Sequence, residues 1–383
     1  MVWFQKIVES CKQRHLDGII LVFKDPERNP KWSFAEVDDD GGNTAIAKAR
    51  LDNNKLSDIN DIFVGKEKSE KGYHWGSRIE FDNDGKIFFA IGDRGERDVN
   101  PQDLTKDGGN TWENVTPKKM PDWMMINSVD ASSFDSGTAY IAGTRYKLGD
   151  FTPYLYVTDD YGKNWKLITD GIEDEHFTRV LRSDKSDKKI LYAGTETGMY
   201  ISYDRGNSWN EFQKNLPIVP ITDLTIKDNS LIVATQGRSI WMIDDLTVFH
   251  QLTPSTDQIK LYKPKDSYRM GGAGGRKSLT AGTNLPNGAI IHYFIPNYDK
   301  ENDQVSLSIH SSDGTLIKEF SDKSKENLLK VKNGGNSFVC NMKYPGAKRL
   351  DNMVLWGADF TGAKAVPGNY IVKLKVNDTE MTQ

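Results

Sequence analysis

Short apolar and β-branched runs, broken by Asp, Asn and Gly, follow one another from Lys31 to Asp245; they include KIFFAIG, TAYIAGT, YLYVT, KILYAGT, GMYISY, SLIVAT and SIWMID. Strands this short, with turn signals at regular spacing between them, predict an all-β fold of the sandwich, barrel or propeller kind. The start of the chain follows a different period. Trp3, Phe4, Ile7, Val8 and Cys11 share one face at helical spacing, predicting a short amphipathic helix, with GIILVF after it as a buried strand. Beyond the Gly-rich MGGAGGRKS (Met270 to Ser278) the pattern becomes alternating, in GAIIHYFI, VSLSIHSSDGTLIKEF, NSFVCNM and GNYIVKLKV. Alternation of this kind predicts a small β-sandwich with one wet face per sheet.

An eight-residue pattern selects among the all-β choices. TKDGGNTW (Thr105 to Trp112), TDDYGKNW (Thr158 to Trp165) and SYDRGNSW (Ser202 to Trp209) each carry a hydroxyl residue, then Asp, Gly and Trp at fixed offsets. Asp107, Asp160 and Asp204 lie 53 and 44 residues apart. That period is the size of one four-stranded propeller blade. The Asp carboxylate suits the backbone N–H groups of a turn, and Gly109, Gly162 and Gly206 suit positive φ. Trp112, Trp165 and Trp209 supply the large apolar area that packs neighbouring sheets together. The reading is a propeller of about five blade-like units of ~45 residues over 31–255. A helix and strand of open role precede it (1–30), and a linker (256–279) and a sandwich (280–383) follow.

A net charge of −4, with Lys and Arg scattered along the chain, gives no footprint for nucleic acid. Cys11 and Cys340 are the only cysteines, too few for a disulfide framework or a thiolate metal site. Lys6, Glu9, Lys12, Arg14 and Asp17 interrupt any run long enough for a signal h-region, and Gly18 to Phe23 is too short to span a bilayer. GGAGG (Gly271 to Gly275) lacks the strand-to-helix context of a nucleotide loop and reads as a flexible linker.

The box is the Asp-box of BNR-type propellers. Residues 178–246, ending in QGRSIWMIDDL, resemble the end of a sortilin-like propeller, and the later NGAIIHYFIP, NGGNSFVCNMKYPGA and AVPGNYIVKL resemble the Ig-like domain that follows such propellers. This resemblance covers roughly 105–383, with the C-terminus falling about where the last strand of that domain would start. It implies a non-catalytic binding or scaffold module for a protein, peptide or glycan ligand, with no cofactor, located in the periplasm or outside the cell. Arg238, after a Gly at a strand end, has two readings: a ligand contact in the channel, or a hydrogen bond that stabilises its blade. His176 and Arg179 share that ambiguity.

A second resemblance covers 43–104. NTAIAKARLDNNKLSDINDIF and HWGSRIEFDNDGKIFFAIGDRGERD resemble the soluble quinoprotein glucose/sorbosone dehydrogenases, which are also propellers. On that resemblance His74 corresponds to the general base, Arg78 to the motif arginine, Asp93 to the aspartate of its GD pair, and Asp98 to a cofactor-contacting polar residue. A neutral His suits proton abstraction beside an electrophilic quinone. PQQ and calcium belong to this alternative, whose remaining cofactor groups would come from later blades, where the sequence has become sortilin-like. Box one follows NPQDL instead of an apolar strand, placing a junction near Pro101 to Asp107. A third reading, a BNR-type glycoside hydrolase, needs an arginine cluster and a Tyr nucleophile that no motif locates.

Overall fold

A computed structural model of the chain describes residues 114–252, 257–269, 285–347, 357 and 360–383 in full, together with the backbone of seven strands between residues 19 and 91. The chain divides into two compact units, Met1–Ile243 and Asp244–Gln383. The amphipathic segment at residues 3–11 and the GGAGG stretch lie outside the described residues.

In the first unit, β1 (Ile19–Ile20), β4 (Ala45–Asp52) and β5 (Lys55–Val64) form one antiparallel sheet. β2 (Glu36–Asp38) and β3 (Gly41–Asn43) form a hairpin, and β6 (Gly76–Phe81) pairs with β7 (Ile87–Ile91). β1, part of the segment of open role before residue 31, therefore belongs to the first sheet. Two complete four-stranded sheets follow. One contains β8 (Met125–Ala131), β9 (Ala139–Arg145), β10 (Asp150–Thr158) and β11 (Lys166–Leu167); the other contains β12 (Thr178–Ser183), β13 (Leu191–Thr195), β14 (Met199–Ser202) and β15 (Asn210–Glu211). β16 (Ile221–Lys227), β17 (Ser230–Thr235) and β18 (Ile240–Ile243) make a three-stranded sheet. Hairpin β2-β3 aside, the described residues of this unit form five sheets, each strand antiparallel to its neighbour. β6, β8, β12 and β16, each opening its sheet, pack in succession. This is a propeller-like, all-β arrangement.

Burial explains why the blade strands read as apolar runs. β9 is buried at six of seven positions and β13 and β14 throughout, because each of these sheets is covered on both faces. Tyr140, Leu155, Ile168, Leu181, Leu191 and Trp209 belong to one core between the two four-stranded sheets. Val115, Val129, Ile141 and Tyr156 form another core on the far face of β8–β11. Each fully buried Leu, Val or Ile stabilises by roughly 1.5–3 kcal/mol against leaving it exposed. Close approach sets the small residues: a Cβ at Gly194 would come within 2.6 Å of the Ile221 side chain.

The second unit alternates instead. β19 (Lys260–Leu261), β20 (Ala289–Ile295) and β23 (Gly334–Cys340) form one sheet; β21 (Val305–Ser311), β22 (Leu316–Ser321), β24 (Tyr370–Val376) and β25 (Thr379–Thr382) form the other. Ile291, Tyr293 and Ile295 of β20 and Val305, Leu307 and Ile309 of β21 are buried, alternating with less buried residues. Ile291, Tyr293, Ile295, Val305, Leu307 and Leu374 share the core. Tyr293, packed there, has its phenol pushed up to about 12 by burial.

Candidate functional site

The two described Asp-boxes are built alike. In the second box Thr158 Oγ1 donates to Asp160 Oδ1 at 2.9 Å and accepts from the Gly162 N–H at 2.9 Å. Asp160 also accepts from the Asn164 N–H at 2.8 Å and from Asn164 Nδ2 at 2.7 Å. In the third box Ser202, Asp204, Gly206 and Ser208 repeat these bonds at 2.6–2.8 Å. Partial burial pushes both carboxyls up, but the hydrogen bonds they accept outweigh it and hold Asp160 and Asp204 below the usual carboxylate range. The turn takes two consecutive left-handed residues, Tyr161 with Gly162 and Arg205 with Gly206.

Each box also latches to the sheet before it. Trp165 Nε1 donates to the Val115 carbonyl at 2.6 Å, and Trp209 Nε1 to the Ile168 carbonyl at 2.7 Å. Val115 and Ile168 stand three residues after Trp112 and Trp165 respectively. A Cβ on Gly162 would lie 2.5 Å from Val115, and one on Gly206 2.6 Å from Ile168. Asp107, Gly109 and Trp112 of the first box lie outside the described residues; the segment just after them holds the position that the repeat requires.

The box end of these sheets is further sewn by charge. Arg205 donates to Asp159 at 2.6 Å, box to box, and Asp159 accepts from Thr138 at 2.8 Å. Asp130 accepts from the N–H and hydroxyl of Ser183 at 2.8 and 2.6 Å. The buried Arg182 reaches from β12 to the next sheet, donating to Leu224 O at 2.9 Å and Asp223 Oδ1 at 2.7 Å. The carboxylates at this end are thus engaged in holding turns and neighbouring sheets.

The opposite end has different chemistry. There the β9–β10, β11–β12 and β13–β14 connections meet. Tyr146 stacks on Phe177 with centroids 5.2 Å apart and planes at 11°, and Phe151 leans on Phe177 at 5.9 Å. The Arg179 guanidinium lies 5.3 Å from the Phe177 centroid and 5.7 Å from that of Tyr146. Its Nε and Nη2 both donate to Glu196 Oε2 at 2.5 Å. His176 Nδ1 sits 2.7 Å from the Tyr200 hydroxyl, and its Nε2 3.6 Å from Glu173. Phe151 is 45% exposed and Leu148 49%, while Trp123, leading into β8 from this end, is 48% exposed with φ +64°. A bulky residue in the left-handed region marks a constrained loop. Asp150 anchors the first connection, accepting from Arg145 at 2.6 Å and Tyr154 at 2.9 Å.

Of the residues predicted from sequence, the side chains of His74, Arg78, Asp93 and Asp98 lie outside the described residues; Arg78 is placed only as a backbone position in β6. Arg238 is exposed in the β17–β18 turn, where its carbonyl accepts from Trp241 Nε1 at 2.8 Å. Its guanidinium has no hydrogen-bond partner among the described residues, so the blade bond at this position is made by its backbone. His176 and Arg179 do come together with aromatic neighbours. Tyr146, Phe151 and Glu196 carry no motif and come from separate connections, so only the fold assembles them. No group of three or more His, Cys, Asp or Glu suited to a metal ion occurs among the described residues, nor any described helix long and apolar enough to cross a membrane.

Comparison with known proteins divides the chain. A family model described as Glucose / Sorbosone dehydrogenase matches residues 20–117, a span that includes the first box. The aldose sugar dehydrogenase YliI of Escherichia coli (strain K12) is 36% identical over 93 residues, covering 24% of this chain and 25% of that protein. The chain thus spans about a quarter of that relative's length. Among solved structures, a glucose dehydrogenase aligns over 59% of this chain and 80% of its own, at 16% identity and a TM-score of 0.37. The extracellular domain of the hybrid two component system BT3049 from B. thetaiotaomicron aligns over 94% of this chain and 45% of its own, at 11% identity and a TM-score of 0.38. The model described as Sortilin, neurotensin receptor 3 matches residues 153–374, which hold both described boxes, the Arg182 bridge and the strands of the second unit up to β24. With that match extending over more than half of its length, the chain belongs to the sortilin/Vps10 family.

Proposed function

We propose that the chain is a non-catalytic binding module whose ligand, a protein, peptide or glycan, docks at the end of the blades opposite the Asp-boxes. One asymmetry carries this reading. The box end spends its carboxylates on turns and inter-sheet bonds and exposes Phe134 at 38%, whereas Trp123, Leu148 and Phe151, each nearly half exposed, are presented to solvent at the other end. Exposed aromatic and apolar side chains beside fixed polar groups are what a recognition surface requires. The same geometry speaks against the glycoside hydrolase reading, because Asp160 and Asp204 are saturated by turn donors and kept as anions.

The match over 20–117 favours a second reading, a sugar dehydrogenase dependent on PQQ and calcium, with His74 as base and Arg78, Asp93 and Asp98 at the cofactor. These side chains lie outside the described residues. Incubation of the purified chain with calcium and PQQ, followed by a dye-reduction assay on aldoses, separates the two. The binding-module reading expects no sugar-dependent reduction; turnover that His74→Ala abolishes would overturn it. Export to the periplasm or beyond the cell is part of the proposal, checked by fractionating cells that express the native gene; recovery in the cytoplasm alone would contradict it.

A further inference from the structure

The rim formed by Phe151, Arg179 and Glu196 has a donor and an acceptor left over. Glu196 Oε2 takes both Arg179 Nε and Nη2 at 2.5 Å. Glu196 Oε1 and Arg179 Nη1 have no hydrogen-bond partner among the described residues. Both side chains stay partly accessible, at 22% for Arg179 and 33% for Glu196. Neither is free to wander. The guanidinium rests against the Phe177 and Tyr146 rings, and the Glu196 N–H donates to the Phe177 carbonyl at 3.1 Å. Beside this pair the Phe151 ring, tilted 40° against Phe177, is half exposed.

We propose that this rim binds a neutral oligosaccharide, one pyranose lying on the Phe151 ring with adjacent hydroxyls shared between Arg179 and Glu196. The proposal rests on the binding-module reading and names its ligand class. A pyranose offers what the rim lacks: an axial C–H face for an aromatic ring, and two neighbouring hydroxyls, each of which donates and accepts. A rigid donor beside a rigid acceptor fits a vicinal diol, and both are held before the ligand arrives. Charge decides against an acidic sugar, since the guanidinium is already neutralised by Glu196. Shape decides against an apolar peptide, which anchors in a deeper, fully desolvated pocket than one half-exposed ring provides.

The test is calorimetric titration of the whole chain with cellohexaose, xylohexaose and mannohexaose, and with hexagalacturonate as the anionic comparator. At least one neutral hexaose is expected to bind, with affinity falling about tenfold or more in Phe151→Ala and in Glu196→Gln. Lys188→Ala, at the box end, is expected to leave it unchanged. Thermal melts show whether each variant is folded; since Phe151 is half exposed, Phe151→Leu offers a milder loss of the ring. Failure of all three neutral hexaoses to bind, preference for hexagalacturonate, or equal binding by the folded variants overturns the proposal. Selection of a displayed peptide that docks on this rim, with no sugar bound, overturns it too while leaving the binding-module reading in place. Turnover in the dehydrogenase assay that His74→Ala abolishes removes that broader reading.

Discussion

The indole of Trp209 donates to the carbonyl of Ile168 across 2.7 Å, joining the third Asp-box to the strand that follows the second. Trp165 makes the same bond to Val115 one blade earlier. The box is therefore an inter-blade device as well as a turn. Its Asp organises eight residues locally, and its Trp passes that order to the preceding sheet.

Removing the indole donor should cost stability in proportion to burial. Trp209 is 4% exposed and Trp165 is only half-buried. Trp209→Phe leaves the Ile168 carbonyl without its partner and is expected to cost about 2–3 kcal/mol, with Trp165→Phe nearer 1 kcal/mol. Urea denaturation followed by tryptophan fluorescence checks the ranking, and equal losses would show that the bond matters little.

Gly206 carries two constraints, a φ of +83° and the Ile168 side chain where its Cβ would go. Gly206→Ala is expected to destabilise by about 2–3 kcal/mol. The nearest obstructing atom is Ile168 Cδ1, which valine lacks. The penalty should therefore shrink in an Ile168→Val background, and a double-mutant cycle without coupling would refute the collision.

Acid should loosen the boxes. The folded-state pKa values of Asp160 and Asp204 are depressed, so their contribution is complete above the unfolded value of about 3.9 and disappears as pH falls through the folded values. Below about pH 4 the native chain should lose stability more steeply than the Asp160→Asn, Asp204→Asn double variant. Urea midpoints between pH 6 and pH 2.5 give the comparison; parallel curves would contradict it.

Arg182 tests the bridge between β12 and β16. Its side chain is 4% exposed, whereas its partner Asp223 is 58% exposed. Asp223→Asn removes the carboxylate that Arg182 Nη2 meets at 2.7 Å while the carbonyl of Leu224 stays in place, an expected cost of about 2 kcal/mol, more than an exposed aspartate usually carries. A change within about 0.5 kcal/mol in chemical denaturation would mean that the bridge to Asp223 matters little.

The fold was legible because its information is local and repeated. Short apolar runs, the Asp and Gly of each turn and the Trp that ends each box recur at a regular spacing, and one blade predicts the next. Box one looked irregular because NPQDL precedes it, yet Val115 holds the latch position that the repeat requires. The left-handed Tyr161 and Arg205 beside the glycines are not legible in the sequence, since neither residue type announces that conformation. The rim was legible only at His176 and Arg179. Tyr146, Phe151 and Glu196 belong to connections with no shared period, and only the packing of two adjacent sheets brings them together.

The proposed function divides the labour of these blades, with scaffold at the box end and recognition at the other. Hydrogen exchange measured with and without the bound neutral hexaose tests it most directly. Slowed exchange is expected in residues 145–151, 173–179 and 195–198, and none in the boxes at 158–165 and 202–209. Protection confined to the boxes would contradict it.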